Sequence, residues 1–338
     1  MENVNLKTLA IQLQLSTATV SKALRDSHEI SHETKQRVLE LASALNYVPN
    51  LYASSLRKRV SKTIAVVIPE VADSFFAEII NGIESVAQSN GYHVLIYLTH
   101  ESFEKEKAIL LDFQSGRVDG VLLSVSAETV STDHILNLKS NHIPIVIFDR
   151  ICDEIKTAKV STDDYNAGYT AAKHLIDTGC KKIAYLSISP TLSISNKRMK
   201  GYLQALADSN LPAKESDIIS CTLDDQYNYA VIQNLLRSKN RPDGIIASVE
   251  KLTTNIYLAC QNLQLRIPED VAIISFSNLK TALILNPSLT TITQPAFQMG
   301  RAAASMLFKS LEKKNFQLDT ESESFPSVLI VRNSTGKK

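Results

Sequence analysis

The sequence of 338 residues has no apolar run of about 18 residues, the minimum for a membrane span, and no basic start followed by an apolar segment. We therefore expect neither a membrane-spanning helix nor a secretory signal. Its four cysteines are widely separated and form no Cys-x-x-Cys pair (Cys152, Cys180, Cys221, Cys260). Free thiols in a reducing cytoplasm are the simplest interpretation.

Motifs typical of enzymes and metal sites are also missing. The sequence has no Gly-x-Gly-x-x-Gly, no Gly-x-x-x-x-Gly-Lys-Ser/Thr and no Gly-x-Ser-x-Gly. It also lacks His-Glu-x-x-His and paired cysteines, and His28 and His32 lie on either side of an expected helix start. The adjacent carboxylates Asp163-Asp164 and Asp224-Asp225 are typical of loops and helix caps. We therefore predict no enzyme activity, no cofactor and no metal.

The charge is unevenly distributed along the chain. Residues 1–60 carry eight Lys/Arg and five Asp/Glu, whereas the other 278 residues carry 28 and 30. The apolar content of 44% and the net charge of +1 indicate a globular protein. A small basic segment followed by a slightly acidic body is consistent with a nucleic-acid partner for the first segment only.

Three short amphipathic helices are predicted in residues 1–45. Apolar residues recur with helical spacing in 6–13 and again in 38–45. Between them, Ser16 is a natural N-cap for a short helix that ends at Leu24, and Ser31 is a natural N-cap for the third helix. A tight turn at residues 14–15 joins the first two helices, which predicts a helix-turn-helix head.

The polar face of the Ser16 helix is suited to DNA. It carries small residues and one cation: Thr17, Ala18, Ser21 and Lys22. Such a face enters a major groove without steric conflict, and its hydroxyls and amine can contact base edges or phosphates. Taken alone, the segment is better interpreted as a surface helix of an ordinary bundle, but its neighbours favour DNA binding.

Residues 46–62 are predicted to form a hinge or a linker. Pro49 blocks continuation of the third helix and is tolerated at the start of a new one. Residues 50–57 allow only about two helical turns, which are unstable alone in water. We therefore expect a segment that is helical only when braced, although its composition by itself favours a plain basic linker.

From residue 63 onward, apolar strand-like runs alternate with helical patterns. Strands are predicted at 64–68, 93–98, 120–125, 144–148, 182–188, 217–223, 244–248, 270–276 and 328–331, with helices between most of them and a last helix at 296–313. These strand and helix units are too many for a single doubly wound sheet. We predict an α/β fold with an all-α head and two doubly wound parallel-sheet subdomains, 63–160 with 291–322 and 161–290 with 323–338. The cleft between them is the expected ligand site.

Blocks from residue 6 to about residue 332 resemble the lactose-repressor (LacI/GalR) family of bacterial transcription regulators. They include LKTLAIQLQLSTATVSKAL and ISHETKQRVLELASALNYVPNLYASSLR in the head, and IAVVIPEVADSFFAEIINGIE, IPIVIFDR, VSTDDYNAGYTAAKHLIDTGCKKIAYL and PSLTTITQP in the body. The resemblance implies a periplasmic-binding-protein-like body that holds a sugar or sugar derivative. It also implies a homodimeric repressor of carbohydrate-related genes that binds an inverted-repeat operator in double-stranded DNA.

The same resemblance implies particular DNA contacts. In the family, the segment matching residues 50–56 folds into a hinge helix on the operator, and the leucine matching Leu56 wedges into the minor groove. This favours the hinge over the plain linker. The implied contacts are Ser16, Thr17, Ala18, Ser21, Lys22, Ser31, Thr34, Asn50, Ala53 and Leu56.

The resemblance also implies an effector site. The expected binding residues are Asp73, Phe75, Ser124, Asp149, Arg198, Glu250 and Ser277, and Pro69, Leu223 and Val249 match further positions that line the family cleft. The fork of the Arg198 guanidinium suits a carboxylate or vicinal hydroxyls. For Phe75 and Asp149, core packing or helix capping is an equally good interpretation.

Two stretches depart from the family pattern. Val249-Glu250 replaces a common Asn-Asp pair, and residues 275–278, SFSN, replace Gly-Phe-Asp-Asp. Either Glu250 supplies the missing acceptor, or the ligand is not an ordinary free sugar, or the response to ligand is weak. The tail after Val331 has no heptad leucines, which favours a dimer over a tetramer. A small-molecule-binding protein with a vestigial head is the alternative function, and the retention of Lys22 and Leu56 argues against it.

Overall fold

The computed structural model describes residues 5–47, 60–189, 192–313 and 316–336. The predicted hinge positions Asn50, Ala53 and Leu56 lie outside these ranges. The chain divides into two compact units, Met1–Ser61 and Lys62–Lys338.

Within residues 5–47, the described part of the first unit, the chain forms three helices, α1 (Leu6–Leu13), α2 (Thr17–Ala23) and α3 (His32–Ala44). Both predicted caps are present, because the Ser16 hydroxyl accepts the Thr19 amide at 3.0 Å and the Ser31 hydroxyl accepts the Thr34 amide at 3.3 Å. The apolar stripes of the three helices meet in one core, in which Leu9, Val20 and Val38 are fully buried. Helix α2 is therefore held by its packing and not by its own length.

The described residues of the second unit form two sheets of six strands each. The first sheet has the order β11-β5-β4-β3-β1-β2, and all of its pairings are parallel. Its strands are β1 (Thr63–Ile68), β2 (His93–Leu98), β3 (Gly120–Leu123), β4 (Ile145–Phe148), β5 (Ala158–Thr162) and β11 (Ser322–Phe325). The helices of this first subdomain are α4 (Ser74–Ser89), α5 (Phe103–Phe113), α6 (Asp133–Ser140) and α11 (Ala296–Glu312).

The second sheet has the order β12-β10-β9-β8-β6-β7, and only the β10–β12 pairing is antiparallel among the described strands. Its strands are β6 (Ile183–Ser187), β7 (Ile218–Ser220), β8 (Gly244–Ala247), β9 (Ala272–Phe276), β10 (Thr290–Thr293) and β12 (Val328–Ile330). The helices of this second subdomain are α7 (Asp164–Asp177), α8 (Ser193–Asp208), α9 (Asp225–Arg237) and α10 (Leu252–Asn262).

The chain passes between the two sheets after β5, after β10 and after β11. Each passage lies two or three residues beyond the predicted subdomain boundaries at 160/161, 290/291 and 322/323. These three strands were not predicted from the sequence, because AKVST, TTIT and SESF are dominated by small polar residues and contain no apolar run. They pair as strands because their neighbours in each sheet offer a complete hydrogen-bonding edge.

Two glycines allow α7 and α8 to lie in close contact. A Cβ atom at Gly168 would overlap the backbone of Arg198, and one at Gly201 would overlap the backbone of Tyr165. This close approach brings the start of α7 beside the middle of α8, which places Arg198 next to Asp164 at the edge of the cleft.

Candidate DNA-binding face and effector cleft

The start of α2 presents an exposed polar surface on the head. Ser16, Thr17 and Ala18 are exposed, whereas Ser21 and Lys22 are half-buried. Besides capping the helix, the Ser16 hydroxyl lies 2.8 Å from the Thr19 hydroxyl. A rigid helix start with small exposed side chains can approach a nucleic-acid surface closely.

Two cations in and just after α2 already have partners inside the head. The Lys22 ammonium pairs with Glu29, an acceptor that was not predicted from the sequence. Arg25, another residue absent from the predicted set, donates to the Ser21 carbonyl at 3.0 Å and to its hydroxyl at 3.1 Å. Such exposed pairs are weak, so a phosphate or a base can replace these partners at low cost.

Two further predicted phosphate contacts lie at the start of α3. Ser31 is exposed and Thr34 is half-buried. Their hydroxyls lie 2.9 Å apart, while the Ser31 oxygen also accepts the Thr34 amide. These hydroxyls therefore stabilise the helix start as well as facing solvent.

In the second unit, several of the predicted effector residues lie just after the ends of strands or at the start of a helix. Asp149 directly follows β4, Glu250 and Ser277 lie in the loops after β8 and β9, and Asp73 caps α4 through the Phe75 amide at 2.9 Å. Because the carboxyl ends of parallel strands lie at one edge of a sheet, the two sheets bring these side chains to a common cleft.

A cavity of about 30 Å³ lies at the centre of this cleft, with room for one or two water molecules. Of the seven predicted effector residues, all but Ser124 line it. Ser124 is fully buried after β3, and its hydroxyl has no hydrogen-bond partner among the described residues. Val249 also lines the cavity, whereas Pro69 and Leu223 do not. The lining consists of Asp73, Phe75, Phe76, Asp149, Arg150, Ile194, Arg198, Val249, Glu250, Phe276, Ser277, Asn278 and Gln294.

Arg198 is the most constrained side chain of the cavity. It is 2% exposed, its Nε donates to Asp164 at 2.7 Å, and its Nη1 donates to the Ser248 carbonyl at 2.7 Å. The guanidinium lies over the Phe276 ring, 4.2 Å from its centroid. Within the described residues, Nη2 has no acceptor, so one donor of the fork is free for a ligand.

Asp149 is buried close to two cations that are already paired. Arg150 forms a two-pronged ion pair with Glu101 at 2.6 and 2.9 Å, and its Nε is 3.9 Å from the Asp149 carboxylate. Loss of solvent raises the pKa of Asp149 to about 7, although Arg150 and Arg198 oppose this rise. Asp149 therefore keeps its proton to a higher pH than an exposed aspartate does, and in that form its carboxyl can donate a hydrogen bond.

The pKa of Asp73, like that of Asp149, is raised. Burial, with a smaller contribution from the nearby Glu250, raises its pKa to about 6, although the hydrogen bond from the Phe75 amide opposes this rise. The three carboxylates that line the cavity thus share a site from which most water is excluded.

Six lining residues were not predicted: Phe76, Arg150, Ile194, Phe276, Asn278 and Gln294. Signals for three of them were present in the sequence. Arg150 directly follows Asp149, Asn278 belongs to the divergent SFSN stretch, and Gln294 ends the run TTITQ. Phe276 is a strand residue that sequence patterning assigns to the core.

A larger chamber of about 520 Å³ lies beside the cavity, with Arg150 bordering both. Its walls come from the loops after β3 and β4 and from the start of α8. Its polar lining includes Ser126, Thr129, Thr132, Asp153 and Ser193. This volume is in the range of small-molecule sites.

Within the ranges that the structure describes, no helix is long and apolar enough to cross a lipid bilayer. In the same ranges, no three His, Cys, Asp or Glu side chains are grouped closely enough to hold a metal ion.

Comparisons with known proteins cover both units. Residues 5–50 match the family model described as bacterial regulatory proteins, lacI family, and residues 61–334 match periplasmic binding proteins and sugar binding domain of LacI family. The catabolite control protein A of Priestia megaterium is 28% identical, with 98% of this chain and 99% of that protein aligned. The ribose operon repressor of Haemophilus influenzae is 30% identical, with 92% of each chain aligned.

A solved structure shares the fold of the whole chain. It is the lac repressor dimer bound to operator and the anti-inducer ONPF, with a TM-score of 0.85, 18% identity, and coverage of 99% of this chain and 100% of that one. At this identity, the match concerns the fold alone. The two family models together span nearly the whole sequence, and the chain belongs to the LacI family of bacterial regulatory proteins.

Proposed function

We propose that this protein is a transcriptional repressor, not an enzyme, and that it acts on chromosomal DNA in the cytoplasm as a homodimer. Its heads would read the two halves of an inverted repeat, and a small molecule in the cleft would control binding. The observation that carries the proposal is the exposed start of α2, where Ser16, Thr17 and Ala18 stand on a rigid three-helix core.

The test of this proposal is DNA selection with the full-length protein at physiological salt, followed by sequencing of the retained DNA. One enriched palindrome is the expected result, since two identical heads require two related half-sites. Enrichment of no motif, with only salt-sensitive bulk binding, would refute sequence-specific repression.

We infer that the effector is a sugar or a sugar derivative. The related ribose operon repressor is named for a sugar operon. In this chain, the cavity combines carboxylates that accept hydrogen bonds from hydroxyls with the free Nη2 donor of Arg198. Phe75 and Phe276 line the same space and offer apolar faces to a sugar ring.

The proposed hinge gives a direct prediction. Leu56→Ala is expected to lower operator affinity by about tenfold or more, because an apolar wedge in the minor groove stabilises the bent DNA. Fluorescence anisotropy with the selected palindrome measures the change. Leu39→Ala, which truncates an exposed leucine of α3, is the matched control and is expected to leave affinity within about twofold. Equal affinities for the Leu56 variant and the unmodified protein would remove Leu56 from the interface.

The ion pair of Lys22 with Glu29 is the observation that favours the alternative, a binding protein with a weak head. Its effect can be measured directly. Glu29→Gln is expected to increase operator affinity by about two- to fivefold, because it frees Lys22 for DNA and removes a charge that repels phosphate. If Lys22 gains a phosphate contact, the salt slope also becomes steeper by about one unit. Glu40→Gln, the same charge change on α3, is the control; an equal gain there would show a general charge effect only.

A further inference from the structure

The carboxylate of Glu250 lines the effector cleft and bonds to both of its sides. Its Oε2 accepts hydrogen bonds from the Ser277 hydroxyl at 2.7 Å and from the backbone amide of Asn278 at 3.0 Å, both in its own subdomain. Its Oε1 accepts the Ser74 amide at 3.1 Å, and Ser74 is the first residue of α4 in the other subdomain. One side chain thus joins the loops after β8 and β9 to a helix of the opposite sheet.

The Ser74 amide is a favourable place for an anion. The first amides of a helix have no partner inside the helix, and the helix dipole attracts negative charge there. Asp73 satisfies the Phe75 amide, so Glu250 supplies the acceptor that the helix start otherwise lacks at Ser74. Charge-assisted hydrogen bonds of this kind are stronger than neutral ones.

A second side chain crosses the cleft beside Glu250. The Nδ2 atom of Asn278 donates to the Glu78 carboxylate of α4 at 3.0 Å and to the backbone carbonyl of Gln294 at 2.8 Å. Its Oδ1 atom accepts a hydrogen bond from the backbone amide of Gln294 at 3.2 Å. The two hydrogen bonds with Gln294 hold the Asn278 side chain in place, and its bond to Glu78 crosses the cleft to the other subdomain. Two of the positions that depart from the family pattern, 250 and 278, thus make contacts with α4.

We propose that Glu250 is a built-in ligand: it closes the cleft without an effector, and an effector enters only by displacing it from Ser74. This rests on the proposed role of the cleft as the effector site. The cavity that remains is about 30 Å³, too small for a sugar ring. The group that best replaces Glu250 is another oxyanion, because the three donors at this point already hold a carboxylate.

Hydrogen exchange of the ligand-free, full-length protein tests this directly. In Glu250→Ala, peptides covering residues 72–78 are expected to exchange about tenfold faster or more, because the Ser74 amide loses its acceptor and α4 loses a contact with the other subdomain. Small-angle scattering is expected to show a larger radius of gyration. Added acetate, the side-chain carboxylate that the variant lacks, is expected to restore protection when compared with chloride at equal ionic strength.

Two matched variants make the test specific. Glu250→Gln keeps an acceptor for Ser74 but places an amide donor near the backbone amide of Asn278. The exchange rate of peptides 72–78 in this variant is therefore expected to lie between the rates in the unmodified protein and in Glu250→Ala. Glu154→Ala removes an exposed carboxylate of the adjacent chamber and is expected to change neither measurement. Helix α9 is the internal reference and should be equally protected in Glu250→Ala and in the unmodified protein. If these two proteins also show the same exchange at residues 72–78 and the same radius of gyration, the proposal is overturned. Neither measurement uses DNA or effector, so a failed operator selection would count against the proposed function alone.

Discussion

Arg198→Met is expected to lower the free energy of unfolding by about 3 to 5 kcal/mol, the largest effect that we predict for a single substitution. The variant leaves the Asp164 carboxylate, 3% exposed, without its cation. It also removes the hydrogen bond to the Ser248 carbonyl and the contact with the Phe276 ring. Equilibrium unfolding in urea, with a check that the denaturant slope is unchanged, measures the loss.

Removal of the orphaned charge tests this explanation. Adding Asp164→Asn to Arg198→Met is expected to recover much of the lost stability, since a buried amide is less costly than a buried carboxylate. Arg266→Ala breaks an exposed pair with Asp270 and is expected to cost at most about 1 kcal/mol. If the double variant is as unstable as Arg198→Met, lost packing accounts for the effect and the buried charge does not.

The sequence was informative wherever apolar periodicity was strong. The three head helices, their serine caps and the buried strands of both sheets follow from local patterns, because these segments bury one face or both. Strands β5, β10 and β11 were not predicted. Their form depends on neighbours that pair with them or cover them, and a single sequence does not display those neighbours.

The cleft illustrates a different limit. The family resemblance identified seven of the residues that line the cavity, including Arg198 and Glu250. It did not predict that Glu250 would bond to Ser74, or that Lys22 in the head would pair with Glu29. Such contacts join residues that are far apart in the chain or on different elements. They depend on side-chain reach and orientation, which sequence spacing does not determine.

Asp149→Asn is expected to stabilise the protein at neutral pH. Burial raises the pKa of Asp149 from 3.8 to about 7, so the native state holds this proton more tightly than the unfolded state. An acid with a raised pKa lowers the free energy of unfolding as pH rises through the window from about 4 to 7. The shift corresponds to about 4 kcal/mol at pH 7 and above, and an amide at this position avoids that cost. Asn also tolerates the left-handed backbone of residue 149, where φ is 59°.

The measurement is urea unfolding of both proteins between pH 4 and pH 8. The difference in unfolding free energy is expected to be near zero at pH 4, to grow up to about pH 7 and then to stay constant. Asp270→Asn is the control with the opposite expected effect, because Arg266 lowers the pKa of Asp270 to about 2. This variant is expected to be less stable than the unmodified protein at neutral pH and equally stable in strong acid. A difference that is independent of pH for Asp149→Asn would mean that the carboxyl of Asp149 has the same charge in the folded and unfolded states. Since Asp149 borders the proposed effector site, a confirmed gain would show that this part of the cleft is less stable than it could be, as expected where binding requires an ionisable group in a dry site.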